Sequence, residues 1–477
     1  MLLTLMRRCL LIGYCTAALA VHAQPSATTT KPLPPRVEAA LAQAQIPREA
    51  LSVLVLPVGS STARLAWQEH TQRNPASVMK LVTTYAALEL LGPAFSWQTP
   101  VYLDSAPQDG RLKGNVYIQG QGDPQLVAER LWLLMRRLQA QGVHRIEGDI
   151  VLDRSAFQLQ AHDAAQFDGE PWRPYNVAPD ALLVNFHAVT LSLVPDVAAG
   201  VARVSYDPPL ADMRISPQVP LAPKGTACAD WRSGLRADFA QPGRITLQGT
   251  YPAACGERQW PVAPADPQGY AARAIAGMWQ AVGGQLAGHV RDGVVSPGLT
   301  PAFALRSPAL SEIIRDINKY SNNVMTQQLL LTLALHKGGV GHFEAARSVL
   351  HAWWVSHGGQ TTDLSVDNGA GLSRTARISA QALARMLQQA WASPVMPELL
   401  SSLPITGIDG TLRRRQGQAR GAAHLKTGTL RDAAAIAGYV HADSGQRYVL
   451  VALVNHPQAA AARPALDALV DWVWADR

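Results

Sequence analysis

Asn74-Pro75-Ala76-Ser77-Val78-Met79-Lys80, followed by Leu81-Val82, an apolar stripe through Leu91 and a closing Gly92-Pro93, is the stretch from which the rest of the chain is read. Asn74 is a good N-cap and Pro75 suits the first helical position, so the pattern predicts a helix that starts there. Ser77 then falls in the first turn, and Lys80 lies one turn further along the same face. A neutral amine beside a serine can take its proton during attack, which turns a weak alcohol into a nucleophile. Burial and nearby positive charge lower a lysine pKa far enough for this, and a helix N-terminus favours the anion that develops on the serine. Alone, the four-residue pattern arises often by chance, and an exposed helical lysine is the plain alternative. The chain has only seven lysines, however, and Lys80 is the only one with a serine three residues before it.

Outward from this point the chain changes character twice. Upstream, a helix is expected at 35–45, and residues 51–56 and 62–67 read as paired strands around a Gly-Ser-Ser-Thr turn. Residues 24–35, rich in Ser, Thr and Pro, read as a lead-in without regular structure. Downstream, residues 98–299 are dominated by short β-rich segments, such as Val116-Tyr117-Ile118 and Ile150-Val151-Leu152, separated by Gly, Pro and Asp turns. The helical pattern returns at 310–337, 345–357 and 379–392; strands at 434–441 and 448–455 and a helix ending at Trp474 complete the chain. This order predicts an α+β fold: an antiparallel five-stranded sheet flanked by helices, built discontinuously from 24–97 and 300–477. A β-rich insertion of two subdomains at 98–299 interrupts it.

Two further patterns bear on chemistry. Ser321-Asn322-Asn323 falls between two helical stretches, where a turn can present side chains. Lys426-Thr427-Gly428-Thr429 precedes the strand at 434 and fits an edge strand bordering a cleft. The order Ser-x-x-Lys, Ser-x-Asn, Lys-Thr-Gly is that of the serine β-lactamases and penicillin-binding proteins. With these motifs, and with Gly120-Gln121-Gly122-Asp123-Pro124, Tyr175-Asn176-Val177-Ala178-Pro179, the run from Asp367 to Arg374 and Asp409-Gly410-Thr411-Leu412, the chain resembles the D-alanyl-D-alanine carboxypeptidase/endopeptidases, the class C low-molecular-mass penicillin-binding proteins. The likeness covers nearly all of the chain after residue 23, and a long insert between the first two motifs is itself a mark of that family. Class A β-lactamases resemble the motifs only.

The resemblance implies a penicillin-binding, β-lactamase-like fold and a serine hydrolase without a cofactor. Ser77 would form the acyl-enzyme, Lys80 would activate it, Ser321 would relay a proton to the leaving D-alanine, and Asn323 would hold the substrate's backbone amide. Lys426 and Thr427 would meet the terminal carboxylate, and the backbone N–H groups of Ser77 and Thr429, flanking Gly428, would form the oxyanion hole. An acidic residue of the insert would reach the free amine of the stem peptide's third residue. Asp168, in Phe167-Asp168-Gly169-Glu170, is the candidate, with Glu170 next; a solvated loop is the alternative for both. The implied partners are peptidoglycan stem peptides and, as covalent inhibitors, β-lactam antibiotics. A homo-oligomer is left open. A β-lactamase or esterase, and a wall-binding protein of low turnover, are the competing readings, separated by how fast a penicilloyl group is released.

Bulk properties fit this reading. At 477 residues, 48% hydrophobic and 16% charged, the chain can bury more than one core. Its net charge of +7 is spread without the aromatic interleaving of a nucleic-acid groove, and a basic surface suits an anionic polymer such as the cell wall. Arg7 and Arg8, the apolar run from Cys9 to Ala20 and Val21-His22-Ala23 read as a signal peptide, residues 1–23, directing the chain to the periplasm. No later segment is long and apolar enough to span a bilayer. Cleavage after Ala23 would leave two cysteines, Cys228 and Cys255, which in an oxidising compartment read as a disulfide. No His-Glu-x-x-His or similar ligand spacing points to a metal. Asp123 reads as a turn residue, the glycines 369 and 371 as a tight turn, His424 as strand packing and the C-terminal helix as packing on the sheet.

Overall fold

The computed structural model describes residues 32–476, so the expected signal peptide at 1–23 lies outside the described residues. The central sheet is antiparallel, in the order Leu65–Trp67, Leu51–Pro57, Arg447–Asn455, Ala433–His441 and Ala423–Leu430. Its inner strands are buried on both faces, which explains their unbroken apolar sequence. Because side chains alternate along a strand, Leu54, Ala435, Val449 and Val451 point to one core while Val53, Ile436, Leu450 and Ala452 point to another. Helices Pro35–Gln43 and Arg463–Trp474, from the two ends of the described chain, cover the second face through Val37, Leu41, Leu466 and Leu469. Helices Lys80–Leu91, Leu310–Tyr320, Asn323–Gly338 and Ala380–Ala392 contribute to the first core.

The two helical stretches expected on either side of Ser321-Asn322-Asn323 are the helices Leu310–Tyr320 and Asn323–Gly338. Ser321 takes φ +58° and ends the first, and Asn322 caps the second by accepting a hydrogen bond from the Met325 N–H (3.1 Å). The helix expected to begin at Asn74-Pro75 differs from expectation at its start. Residues Ala76–Met79 form a tighter 3₁₀ turn, and the α-helix proper begins at Lys80.

Between these halves the chain builds a separate core of its own. One mixed sheet runs Val290–Asp292, Ile150–Asp153, Val116–Gln119, Gln98–Leu103 and Phe303–Arg306, so its pairing extends past residue 299. Strands Val116–Gln119 and Ile150–Asp153 are parallel, which requires a crossover, and helix Ala128–Ala140 supplies it. The β-rich reading of the insert does not name this helix or Pro267–Ala281. Their signals are present in the sequence: Leu131, Leu134, Met135 and Leu138 bury one helical face, and Asp266 caps the second helix through the Gly269 N–H (2.9 Å) ahead of Pro267. A four-stranded sheet and two three-stranded sheets complete the insert, and Cys228 is disulfide-bonded to Cys255. Among the described residues no helix is long and apolar enough to cross a membrane.

Candidate active site

The turn carrying Ser77 is held from three sides. Asn74 donates its N–H to Asn455 Oδ1 (2.7 Å) at the end of a central strand, accepts from the Ala76 N–H (2.9 Å) and donates Nδ2 to the carbonyl of Ser373 (2.8 Å). Ala76 sits at φ +47°, a sparsely populated region for a residue with a Cβ. Two glycines permit the close packing around it. A Cβ on Gly371 (φ +77°) would stand 1.8 Å from the Ala76 carbonyl oxygen, and one on Gly428 would stand 2.6 Å from the carbonyl oxygen of Pro75 and 2.9 Å from the Ser77 nitrogen. The Lys426–Thr429 strand is thereby laid directly along the nucleophile's backbone.

Lys80 is fully buried. Its Nζ lies 3.1 Å from Ser77 Oγ, 2.7 Å from Asn323 Oδ1 and 2.6 Å from the carbonyl oxygen of Ala370. A neutral amine has two N–H donors and one lone pair, so it can donate to the two acceptor-only oxygens and accept from the serine hydroxyl. Burial, helped by the positive charge of Lys426, pushes the Lys80 pKa well below that of a free lysine. Lys426, also fully buried, is pushed down to about 7 by burial; its Nζ donates to Ser321 Oγ (2.9 Å) and to the carbonyl of Thr427 (2.8 Å). Ser77 and Ser321 are each partly exposed, while the two lysines beside them are shut from water.

Asn323 joins the insert to this centre. Its Nδ2 donates to the carbonyl of Tyr175 (3.1 Å), leaving the second N–H of that amide for a ligand. Thr427, half-buried, shares a hydroxyl–hydroxyl contact with Thr411 (2.8 Å), and Thr429 is exposed.

Asp168 is exposed, and its carboxylate accepts from Tyr175 Oη (2.9 Å) and Asn176 Nδ2 (2.8 Å). Burial pulls its pKa up, but these hydrogen bonds outweigh it and the carboxyl titrates below the usual range. Tyr175 thus touches both residues, its hydroxyl donating to Asp168 and its carbonyl accepting from Asn323. Next to it, Phe167 packs against Ala76, Leu430 and Ala433, with Arg374 over its ring at 4.2 Å. Glu170 is exposed and pairs with Arg173. His424 is half-buried on the edge strand, its ring 5.6 Å from that of His441. Asp123 caps the Gln125 N–H and pairs with Arg130 (2.6 Å).

The contacts of three residues were not read from the sequence. Ala370 and Tyr175 lie in stretches quoted for the resemblance, but they act through main-chain carbonyls, whose role no side chain marks. Lys319, two residues before Ser321, is buried and paired to Asp409 at 2.6 Å. The Asp409-Gly410-Thr411 stretch was legible as a motif, but its partner was not.

Residues 33–475 match the model of the D-Ala-D-Ala carboxypeptidase 3 (S13) family. Among curated proteins, a D-alanyl-D-alanine carboxypeptidase from an Actinomadura species is 28% identical over 396 residues, spanning 78% of this chain and 71% of that one. The D-alanyl-D-alanine carboxypeptidase DacB of Haemophilus influenzae is 25% identical over 397 residues, 80% of each chain. In fold, the chain is similar to penicillin binding protein 4 of Haemophilus influenzae, with a TM-score of 0.71 at 20% identity, covering 91% of this chain and 99% of that one. A predatory peptidoglycan endopeptidase of Bdellovibrio bacteriovorus superposes with a TM-score of 0.51 at 15% identity, covering 88% and 91%.

Proposed function

The chain belongs to the D-Ala-D-Ala carboxypeptidase 3 (S13) family, and on that premise we propose that it hydrolyses the terminal D-alanyl-D-alanine bond of peptidoglycan stem peptides through an acyl-enzyme on Ser77. The observation that carries the reading is the environment of Lys80: a fully buried amine that touches Ser77 Oγ and two oxygens able only to accept. Held neutral by burial, it takes the hydroxyl proton as Oγ bonds to the carbonyl carbon of the penultimate D-alanine. The oxyanion that forms is met by the backbone N–H groups of Ser77 and Thr429. Ser321, polarised by Lys426, passes a proton to the leaving nitrogen, the C–N bond breaks and D-alanine departs. Lys80, having passed its first proton to Ser321 to replace the one given to the leaving nitrogen, then takes a proton from the water that attacks the ester and returns it to Ser77 Oγ, so the nucleophile is regenerated as the shortened peptide leaves.

Lys426 and Thr427 bind the terminal carboxylate, and the remaining N–H of Asn323 meets the substrate's main-chain carbonyl. Asp168 takes the amine of the third stem residue, a role supported by the hydrogen bonds from Tyr175 and Asn176 that favour its charged form. The same attack on a strained lactam carbonyl would make the chain a penicillin-binding protein; penicillin binding protein 4 of Haemophilus influenzae has been solved in complex with a β-lactam. Cleavage of D-alanyl cross-links is the second activity proposed, by likeness to the Bdellovibrio endopeptidase fold. The leader read at 1–23 would place this work in the periplasm.

Covalent labelling with a fluorescent penicillin tests the proposal. Wild type should hold the label for hours and Ser77→Ala should take none. Label lost within minutes would instead make the chain a β-lactamase, and folded wild type that never labels would refute the mechanism.

A further inference from the structure

His424 and His441 take no part in the reaction at Ser77, and strand packing accounts for where they lie but not for how they are left. His424 stands on the edge strand Ala423–Leu430, and His441 ends the neighbouring strand Ala433–His441. His424 is paired with Tyr439 in the antiparallel register, so His441, two residues on, is its diagonal neighbour on the same face of the sheet. The ring centroids are 5.6 Å apart, with the planes at 44°. His424 Nδ1 and His441 Nε2 are both closed off from water, and neither has a hydrogen-bond partner among the described residues. Each unpaired nitrogen costs ~1–3 kcal/mol, a cost that apolar side chains at these positions would avoid. Burial and then the charge of Lys319 lower the His424 pKa, outweighing the Leu400 main chain and Asp409; burial, Arg447 and His424 lower that of His441. Both rings are therefore neutral near pH 7, and a neutral imidazole carries a lone pair for a metal ion. With imidazole–metal bonds of about 2.0–2.1 Å, two rings on one ion have centroids roughly 5–6.5 Å apart, and this pair falls inside that range.

We infer that His424 and His441 form a two-histidine site for a divalent transition-metal ion of the zinc class, and that an ion bound there slows acylation of Ser77. Imidazole suits zinc and its neighbours in the series, whereas magnesium and calcium take oxygen ligands. Among the described residues no third carboxylate, thiol or imidazole completes a ligand set, so water fills the remaining positions and the ion is held more weakly than at a closed four-ligand site. Asp409 favours a cation at His424, while Lys319 and Arg447 oppose one. Both histidines are partly exposed, which gives an ion a way in. The effect on acylation rests on the reaction proposed at Ser77. His424 and Lys426 alternate onto the same face of one strand, about 7 Å apart along it. A doubly charged ion on His424 therefore opposes the charge of Lys426, whose pKa burial has already lowered to about 7. A tenfold weaker hold on that proton takes the charged fraction at pH 7 from about one half to about one tenth, and Ser321 loses its polarising partner in proportion.

Calorimetric titration of the purified protein with zinc chloride, followed by penicillin labelling with and without the ion, tests both parts. Even an outer-shell partner is worth about 10- to 100-fold in metal affinity, so His424→Gln and His441→Gln should each weaken the tightest zinc site at least about tenfold. Saturating zinc should slow labelling of wild type about fivefold at pH 7 and leave each variant as fast as it is without the ion. His424→Phe and His441→Phe keep a ring in place without its nitrogens and should behave as the glutamine variants do. A wild type that binds no zinc, or an affinity that survives loss of either histidine, overturns the site. Magnesium slowing the label as much as zinc overturns it too. Zinc held by both histidines without slower labelling overturns the effect on Ser77 alone. A folded wild type that never labels refutes the reaction at Ser77, while the titration still decides whether the histidines hold the ion.

Discussion

The Nζ of Lys319 lies 2.6 Å from Oδ2 of Asp409, in a pair that sits immediately behind Ser321 and beside the Thr411–Thr427 contact. The lysine side chain is 4% exposed and the aspartate 31%, so the two partners are unequally dependent on each other. Removing the carboxylate strands a buried cation, at a cost of ~3–5 kcal/mol, whereas removing the lysine frees an aspartate that water can reach. Asp409→Asn should therefore destabilise the protein more than Lys319→Met in urea melts. Both should slow penicillin acylation, because the pair fixes the turn in which Ser321 holds its left-handed conformation. Equal destabilisation by the two variants would show that the pair is worth little.

Lys80 and Lys426 predict the form of the pH profile. Deprotonation of Lys80, eased by burial and by Lys426, sets the rising limb; loss of charge on Lys426, lowered by burial to about 7, sets the falling limb. Acylation by penicillin should follow a bell whose alkaline side lies near or somewhat above pH 7, since a bound carboxylate pulls the Lys426 pKa upward. Arginine stays charged throughout this range, so Lys426→Arg should have little alkaline fall even if its absolute rate is low. An unchanged alkaline limb in that variant would assign it to another group.

How much of this site was legible depended on where the information lay. Ser77 and Lys80 are one turn apart on a local element, so spacing alone placed them together. The five-stranded sheet was equally readable, because its strands are fully buried and bounded by turn residues. The contacts that complete the centre span 105 residues between Ser321 and Lys426 and 243 between Lys80 and Asn323, and only the resemblance of motifs predicted that they would meet. The carbonyls of Ala370 and Tyr175 were beyond reach, since a main-chain oxygen belongs to every residue type. The helices of the insert were missed for a different reason: Leu131, Leu134, Met135 and Leu138 have helical spacing, but they lie among short strands whose alternation dominates the region.

Gly371 tests the backbone geometry of the nucleophile. With φ at +77° and the Ala76 carbonyl in the space a Cβ would fill, alanine can be accommodated only if the Ser77 turn moves. Gly371→Ala should cost at least ~1–2 kcal/mol of stability and lower the acylation rate at least tenfold. Gly445→Ala, at a similar φ of +85° but with open space around it, should cost the conformational part alone and leave acylation as in wild type. Measured side by side, equal acylation rates in the two variants would mean that the close approach of Gly371 does not fix Ser77.

The disulfide Cys228–Cys255 closes a loop of 27 residues within the insert, away from the catalytic motifs. Loop-closure arguments give a stabilisation of ~3–4 kcal/mol for a ring of this size, an upper figure if the reduced chain keeps residual structure. The Cys228→Ala, Cys255→Ala double variant should unfold at lower denaturant concentration yet label with penicillin at the wild-type rate in native buffer. Loss of labelling in a variant still folded by circular dichroism would tie the outer insert to the active site.

Lys426 should weaken the fold that it serves. Its folded-state pKa, about 7, is far below the value near 10.5 of an exposed lysine, and the cause is burial. Between about pH 7 and 10.5 the unfolded chain therefore binds more protons than the native one, so the contribution of Lys426 to stability rises with pH across that window. Below about pH 7 the native state carries the whole cost of a charged, desolvated lysine. Methionine has a comparable length and no charge, and replacing a buried ion by an apolar side chain is often stabilising by ~1–4 kcal/mol. Lys426→Met should thus be inactive but more stable than wild type at pH 6, and the difference should shrink towards pH 10. Denaturant midpoints at pH 6 and pH 9.5 check this. A variant less stable than wild type at pH 6 would mean that the hydrogen bonds from Lys426 to Ser321 and Thr427 outweigh the desolvation of its charge.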